Sequence, residues 1–369
     1  MPRWIGPAAA LGLVVALGVP RPAAAIPIFA HQYGVSCRKC HTVIPHLNAF
    51  GAAFLANGDR IPGVAPGPAF PIAMKTNLVV SSADQGPGPN GQGLPKAIVD
   101  EIELFTAGAI GPRASYLVEQ YLVDGGEPGY LRDAWVADRV NPWTARLPVQ
   151  VQAGSFTLPL PVDPETFRET YQDYTPYVQT VGENPFDFKE PKTGGRIAAG
   201  DTSRGLSVQL FAGPGYDQRS SLATVGTDVM ENVTDSLGPV ALAIYHYQGQ
   251  RPIGGSVDSF TRTGYSVVYN GYARWSSETV LQTGWDSHCT TRPDEGCASS
   301  GGFTQLRYAF DRRLFAEGRY EGTYDPIAGL ARDGVLLVGY APIESARATV
   351  EDVISAQTST FNAQVTVAL

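Results

Sequence analysis

Phe361-Asn362-Ala363-Gln364-Val365-Thr366-Val367-Ala368-Leu369 ends the chain. Positions 361, 363, 365, 367 and 369 are apolar, and they alternate with Asn, Gln, Thr and Ala. A period of two belongs to a β-strand with one apolar face. The pattern recurs in Leu206-Ser207-Val208-Gln209-Leu210, in Val149-Gln150-Val151-Gln152 and in Leu306-Arg307-Tyr308-Ala309-Phe310. One face of each is apolar, while the other carries Gln, Arg, Glu and Thr. A soluble antiparallel sandwich can alternate in the same way. The connections between strands separate the two architectures.

Strands are predicted near 71–82, 97–110, 114–124, 129–140, 147–156, 193–201, 204–214, 226–235, 239–248, 258–274, 278–287, 302–311, 314–324, 332–341, 344–354 and 359–369. Connections after odd strands are mostly long, the longest running from Phe156 to Thr193. Those after even strands are tight, as at Ser276-Ser277-Glu278 or Asp311-Arg312-Arg313. Long loops at one end and short turns at the other are the habit of outer-membrane barrels. The expected fold is therefore mainly β: a porin-like transmembrane antiparallel β-barrel of about 16 strands over residues 71–369. An even count puts both barrel ends in the periplasm. Composition agrees: charged residues are 17%, against a usual ~25%, with 41 Gly and 17 Tyr. That balance suits a surface facing outer-membrane lipid. The formal net charge of -8 argues against a nucleic-acid partner.

Residues 1–25 read as a secretory signal peptide. Arg3 supplies the positive start, residues 8–19 the apolar core, and Ala23-Ala24-Ala25 the small-residue cleavage site. No later stretch approaches a transmembrane helix.

Within the exported chain, Cys37-Arg38-Lys39-Cys40-His41 has the spacing of a c-type haem attachment site. Cys37 and Cys40 would each bond a haem vinyl group, and His41 would be the axial iron ligand. Two other readings exist: a redox Cys-x-x-Cys and half of a zinc site. A structural zinc site needs four ligands, and the remaining cysteines lie far along the chain. A thioredoxin-like motif wants a βαβ setting, which the strand pattern does not offer. Residues 26–63 are thus expected to form a small monohaem segment, with residues 64–70 as a Pro/Gly linker. Pro45 can open a helix, Leu47, Phe50 and Phe54 share its face, and Asn57-Gly58 stops it. Phe50 and Phe54 then pack either on the haem or on the barrel. Candidate distal iron ligands are His46 and Met74. His31 precedes the motif. Met74 is in phase with Ile72 and Leu78, which favours the lipid face for it. His246 and His288 belong at the outer rim by this topology.

Cys289 and Cys297 flank a loop and should form a disulfide in an oxidising compartment. Glu101, Glu103, Glu317 and Glu321 are expected to point into the lumen, where they could attract cations.

The segment Pro27-Ile28-Phe29-Ala30-His31-Gln32-Tyr33-Gly34, the Cys37–His41 motif, Pro45, Leu47-Asn48-Ala49-Phe50-Gly51, Phe54 and Asn57-Gly58 together resemble the fused cytochrome–porin family. These are single-chain outer-membrane c-type cytochromes of iron-oxidising bacteria. The specific likeness covers about 35 residues, and the barrel matches in style only. The resemblance implies a haem plug at the barrel mouth, with electrons taken from extracellular Fe(II) and passed to a periplasmic carrier. The chain departs from the family in three respects: it is short, it ends in Leu369, where barrels commonly carry an aromatic, and Asp59 follows Asn-Gly where an aromatic is expected.

Three functions follow. The first is an electron conduit or Fe(II) oxidase carrying one covalent haem c. The second is a haem-plugged porin, or a conduit for another donor and acceptor. The third is a soluble periplasmic haem protein with a β-rich binding domain.

Overall fold

The computed structural model describes residues 27–67, 72–86, 94–141, 147–201, 204–214, 226–253, 256–270, 274–288 and 296–368. The signal segment, most of the linker and Cys289 fall outside these. Sixteen long antiparallel strands close into one barrel: β1 Ala73–Gly86, β2 Leu94–Ile110, β3 Ala114–Asp124, β4 Leu131–Arg139, β5 Val149–Phe156, β6 Lys192–Asp201, β7 Arg204–Gly213, β8 Asp228–Leu237, β9 Val240–Ile253, β10 Ser256–Asn270, β11 Trp275–Asp286, β12 Cys297–Ala309, β13 Leu314–Asp325, β14 Gly329–Ile343, β15 Ala346–Ser355 and β16 Ser359–Ala368. The pair Glu127–Pro128 extends the β3–β4 hairpin along β3. The seam closes where β16 pairs with β1, Gln364 opposite Val79 and Val365 opposite Leu78. One continuous sheet rules out the sandwich.

The alternation sorts side chains as the sequence predicts. Leu281 is 61% exposed on the outer face, while its neighbour Gln282 is 6% exposed within. Leu206 and Ser207, and Tyr320 and Arg319, divide the same way. An apolar exterior around a polar interior inverts the arrangement of a soluble protein, and it is stable only where the exterior meets lipid. Aromatic residues mark the edges of this belt. Trp275, Tyr308 and Phe310 cluster at one end, with ring centroids 4.4 and 4.9 Å apart; Trp285 and Tyr324 are exposed toward the other. The ten residue-to-residue steps from Trp275 to Trp285 along β11 span about 33 Å at roughly 3.3–3.4 Å each. Tilted by about 40°, that matches the ~25 Å apolar band of such barrels.

Connection lengths depart from expectation on the long-loop side. Loops 157–191 and 214–227 are long, but two residues separate β9 from β10, and three separate both β13 from β14 and β15 from β16. There the strands themselves run on, 14 residues in β9 and 15 in β10, so extended hairpins replace loops. Conversely, the connection between β4 and β5 is long for the short-turn side.

The segment before the barrel folds as a plug: helix α1 Pro27–Tyr33, a 3-10 turn Cys37–Lys39, a two-stranded hairpin of His41–Val43 with His46–Leu47, and helix α2 Ala49–Ala56. The opening of α2 differs from the sequence expectation. Asn48, not Pro45, caps it, its Oδ1 accepting from Gly51 N at 3.0 Å. Pro45 lies in the hairpin turn, four residues too early to begin the helix. The plug is tied to the short-turn end. Arg60 donates to Gly111 O at 3.0 Å, Asn270 to Leu47 O at 3.4 Å, and Arg347 to Ile44 O at 3.0 Å. The backbone N–H of Cys37 donates to Glu344 Oε2 at 3.1 Å.

From the other side, the 157–191 loop folds into the lumen. Tyr171 N donates to Glu351 Oε2 at 2.7 Å, Thr175 Oγ1 to Glu321 Oε1 at 2.8 Å, and Asn184 Nδ2 to both Asp258 and Asp286 at 2.9 Å. Tyr174 stacks on Phe303 at 4.2 Å, inside a buried aromatic cluster that includes Tyr177, Phe186, Phe188, Tyr245, Tyr247 and Phe260. At the level of this cluster the described residues pack the barrel interior.

Candidate functional site

Between plug, loop and wall lies a cavity of about 560 Å³, within the roughly 300–1,000 Å³ usual for cofactor sites. Cys37, Cys40, His41, Phe50 and Phe54 line it from the plug. Leu158, Leu160 and Phe167 line it from the loop, and Lys75, Glu103, Arg132 and Arg196 from the wall.

The local fold explains how these residues converge. Ser36 caps the 3-10 turn, its side chain accepting from Arg38 N. Cys40 O receives Asn48 N at 2.8 Å, which folds the chain back so that α2 crosses over the motif. Gly51 makes that crossing possible: a Cβ there would stand 2.2 Å from Cys40 O. Phe54 is then held edge-on by Phe29 and Tyr33, with centroids 5.1 and 5.7 Å away. Lys39 Nζ sits 4.5 Å over the Phe50 ring.

Neither motif cysteine is in a disulfide. Burial pushes the Cys40 thiol up to about 11. Burial also lowers the basicity of His41, while a hydrogen bond to Pro45 O at 3.0 Å opposes the effect. The ring is held neutral and oriented by a backbone carbonyl, the arrangement typical of a metal-binding histidine.

The two distal candidates are not brought to the cavity. His46 is fully buried, but it does not line the cavity. The hairpin directs it to the loop, edge-on to Phe167 at 5.3 Å and with Nδ1 3.6 Å from Glu169 Oε1. Burial pushes its pKa down to about 4, and neither ring nitrogen has a hydrogen bond among the described residues. Met74 does not line the cavity either. Its neighbour Lys75 does, and the strand period sets Met74 on the outer face with Ile72 and Leu78. His31 is exposed. His246 meets Thr263 Oγ1 at 2.8 Å on the wall, and the His288 backbone N–H donates to Asp258 at 3.0 Å near the long-loop end.

The lumen carboxylates point inward as expected, and three of the four are engaged by protein groups. Lys75 bridges Glu101 and Glu103, and Arg319 pairs with Glu321 at 3.1 Å. Glu317 is buried. Sequence reasoning missed the cations Lys75, Arg132 and Arg196 on the cavity wall. Their only signal was their inward phase. Cys297 is disulfide-bonded; its expected partner, Cys289, lies outside the described residues.

No protein-family model and no curated protein matches the chain. Solved structures do. An anion-selective porin from Comamonas acidovorans is 11% identical and aligns over 80% of this chain and 98% of its own, with a TM-score of 0.57. OmpF of Salmonella typhi, solved with daunomycin, is 10% identical over 81% and 97%, with a TM-score of 0.55. OmpT, an outer-membrane protein of Vibrio cholerae, is 9% identical over 81% and 97%, at 0.54. At such identities the likeness is one of fold, and the fold of this chain is that of the outer-membrane porins.

Proposed function

We propose that this chain is an outer-membrane electron-transfer protein, in which a haem c on Cys37 and Cys40 takes electrons from an extracellular donor, Fe(II), and delivers them to a periplasmic carrier. The observation that carries this reading is the convergence of Cys37, Cys40 and His41 on one cavity of suitable size, closed by the porin-type barrel. The residues fit the group. Neither cysteine is tied up in a disulfide, His41 is neutral and oriented, and Phe50, Phe54, Leu158 and Leu160 offer apolar surface. Lys75 and Arg132 already engage Glu103, Glu119 and Glu165. Arg196, which donates to Gln209 Oε1 at 3.3 Å, is the wall cation we assign to a haem carboxylate. Bound haem supplies a one-electron couple whose potential depends on ligation, burial and hydrogen bonding. The chain's own part is to hold it, set its surroundings and exclude water. With His46 and Met74 turned away, His41 is the one axial ligand of this assignment.

The packed lumen favours a conduit over a passive porin, and the apolar belt favours the outer membrane over a soluble periplasmic life. The likeness of residues 27–58 to the cytochrome–porins supports Fe(II) as donor. Anaerobic mixing of oxidised, detergent-solubilised protein with Fe(II), watching the haem bands, tests this. Reduction is expected. If Fe(II) never reduces a haem that a periplasmic carrier can reduce, the donor assignment falls and electron export replaces it.

A further inference from the structure

The short-turn end of the barrel carries a charge opposite to that of the whole chain. Arg38 and Lys39 of the plug, Arg274 after β10, and Arg312 and Arg313 between β12 and β13 are all exposed there. They form one arc. Arg274 O accepts from Ala309 N at 2.8 Å, and Arg313 O accepts from Ala341 N at 2.8 Å, so successive turns adjoin. Arg38 Nε reaches Glu344 Oε1, in the next turn, at 3.4 Å. Among the described residues of these turns and the motif, Asp311 and Glu344 are the acids, against five cations. The arc is thus net positive on a chain of net charge -8. Arg38 and Arg312 also line the cavity that holds Cys37, Cys40 and His41. The positive arc therefore borders the site of the proposed haem.

We propose that this arc is the docking surface for an acidic soluble electron-carrier protein, an inference that rests on the electron-transfer reading above. Complementary charge steers encounter and orients partners at a cost in salt sensitivity. Lys39, held over Phe50 beside the cavity, brings the carrier to the point where the plug lies nearest the surface. The transfer served is of one electron, from the reduced plug to the oxidised centre of the carrier, with no bond made or broken. Anionic lipid headgroups are the competing occupant, since Trp275 and Phe310 place the rim near the membrane interface. Arg38 and Lys39 favour the protein, because they sit on the plug within the barrel mouth and not on its lipid-facing circumference.

The test uses one carrier in two charge forms: mitochondrial cytochrome c, native and basic or succinylated and acidic. Each is fluorescently labelled and titrated onto the full-length, haem-bearing protein in lipid nanodiscs at low and high salt. The acidic form should bind about tenfold or more tighter at low salt, and this preference should collapse at high salt. Arg312→Glu with Arg313→Glu should remove most of it, and Arg274→Glu, as an independent variant, part of it. Haem-bearing protein that binds both forms alike, or that ignores the charge reversals, overturns the docking surface alone. Reversals that lower retention of phosphatidylglycerol but leave binding unchanged make the arc a lipid contact and also overturn it. Salt-sensitive binding to a mature chain that never acquires haem overturns the proposal together with the electron-transfer reading.

Discussion

The Nδ1 atom of His41 stands 3.0 Å from the carbonyl oxygen of Pro45. A carbonyl oxygen only accepts, so Nδ1 carries the proton and the Nε2 lone pair is left for a metal. The mature protein should weigh one processed chain plus one haem, and acid–acetone should not extract the haem. His41→Ala should keep the thioether-linked haem and the folded barrel, while shifting the haem spectrum and abolishing reduction by Fe(II). Extractable haem, or none, would falsify the assignment of Cys37 and Cys40.

Gly51 lies under the Cys40 carbonyl, and a Cβ would meet Leu47 Cδ2 at 2.9 Å as well. Gly51→Ala should push α2 off the motif, at about 1–3 kcal/mol for an overpacked contact. The expected result is faster proteolysis of residues 27–67 and less haem incorporation. The heat-modifiable gel shift of the barrel should be unchanged.

Asp59, just beyond α2 with φ 58°, is buried, and burial pushes its carboxyl up to about 7 against the pull of Arg196. The fold therefore favours the protonated acid. That contribution is full below about pH 4, where the unfolded acid is also protonated, and is lost as pH rises to about 7. The loss is on the order of 4 kcal/mol. Hydrogen-exchange protection factors in the plug, which remove the intrinsic pH dependence of exchange, should be higher at acid pH than above neutrality. Asp59→Asn should flatten this dependence, and an unchanged slope in that variant would assign it to another group.

Leu281 faces outward near the middle of β11. Leu281→Arg should cost about 2–4 kcal/mol in a bilayer if it stands near the midplane, measured by denaturant unfolding in lipid vesicles. In neutral detergent micelles the penalty should shrink. An equal cost in both settings would mean that the apolar belt does not mark the membrane.

Tyr174 stacks on Phe303 across the lumen, and the loop around it is pinned to β10, β11, β13 and β15. The whole protein should show no steady ion conductance in planar bilayers. Removing residues 168–188 should open a conducting pore. A water-filled current from the intact chain would restore the passive-porin reading.

The chain's local patterns determined the barrel and its count. Alternation is a property of strand geometry over a few residues, so the edges of the strands at 204–213 and 314–325 are legible within a residue or so of where they fall. The spacing of Cys37, Cys40 and His41 is equally local, and so is the Asn48 cap, an N-cap residue type standing directly before Ala49. Tertiary structure alone decided the rest. His46 turns toward Glu169, and Arg196 reaches the cavity, through contacts between residues more than a hundred positions apart. The 157–191 loop fills the lumen because its aromatics find Phe303 and Tyr247 on distant strands. No sequence period encodes such meetings: they are set by barrel closure, which fixes which strand faces which across the interior.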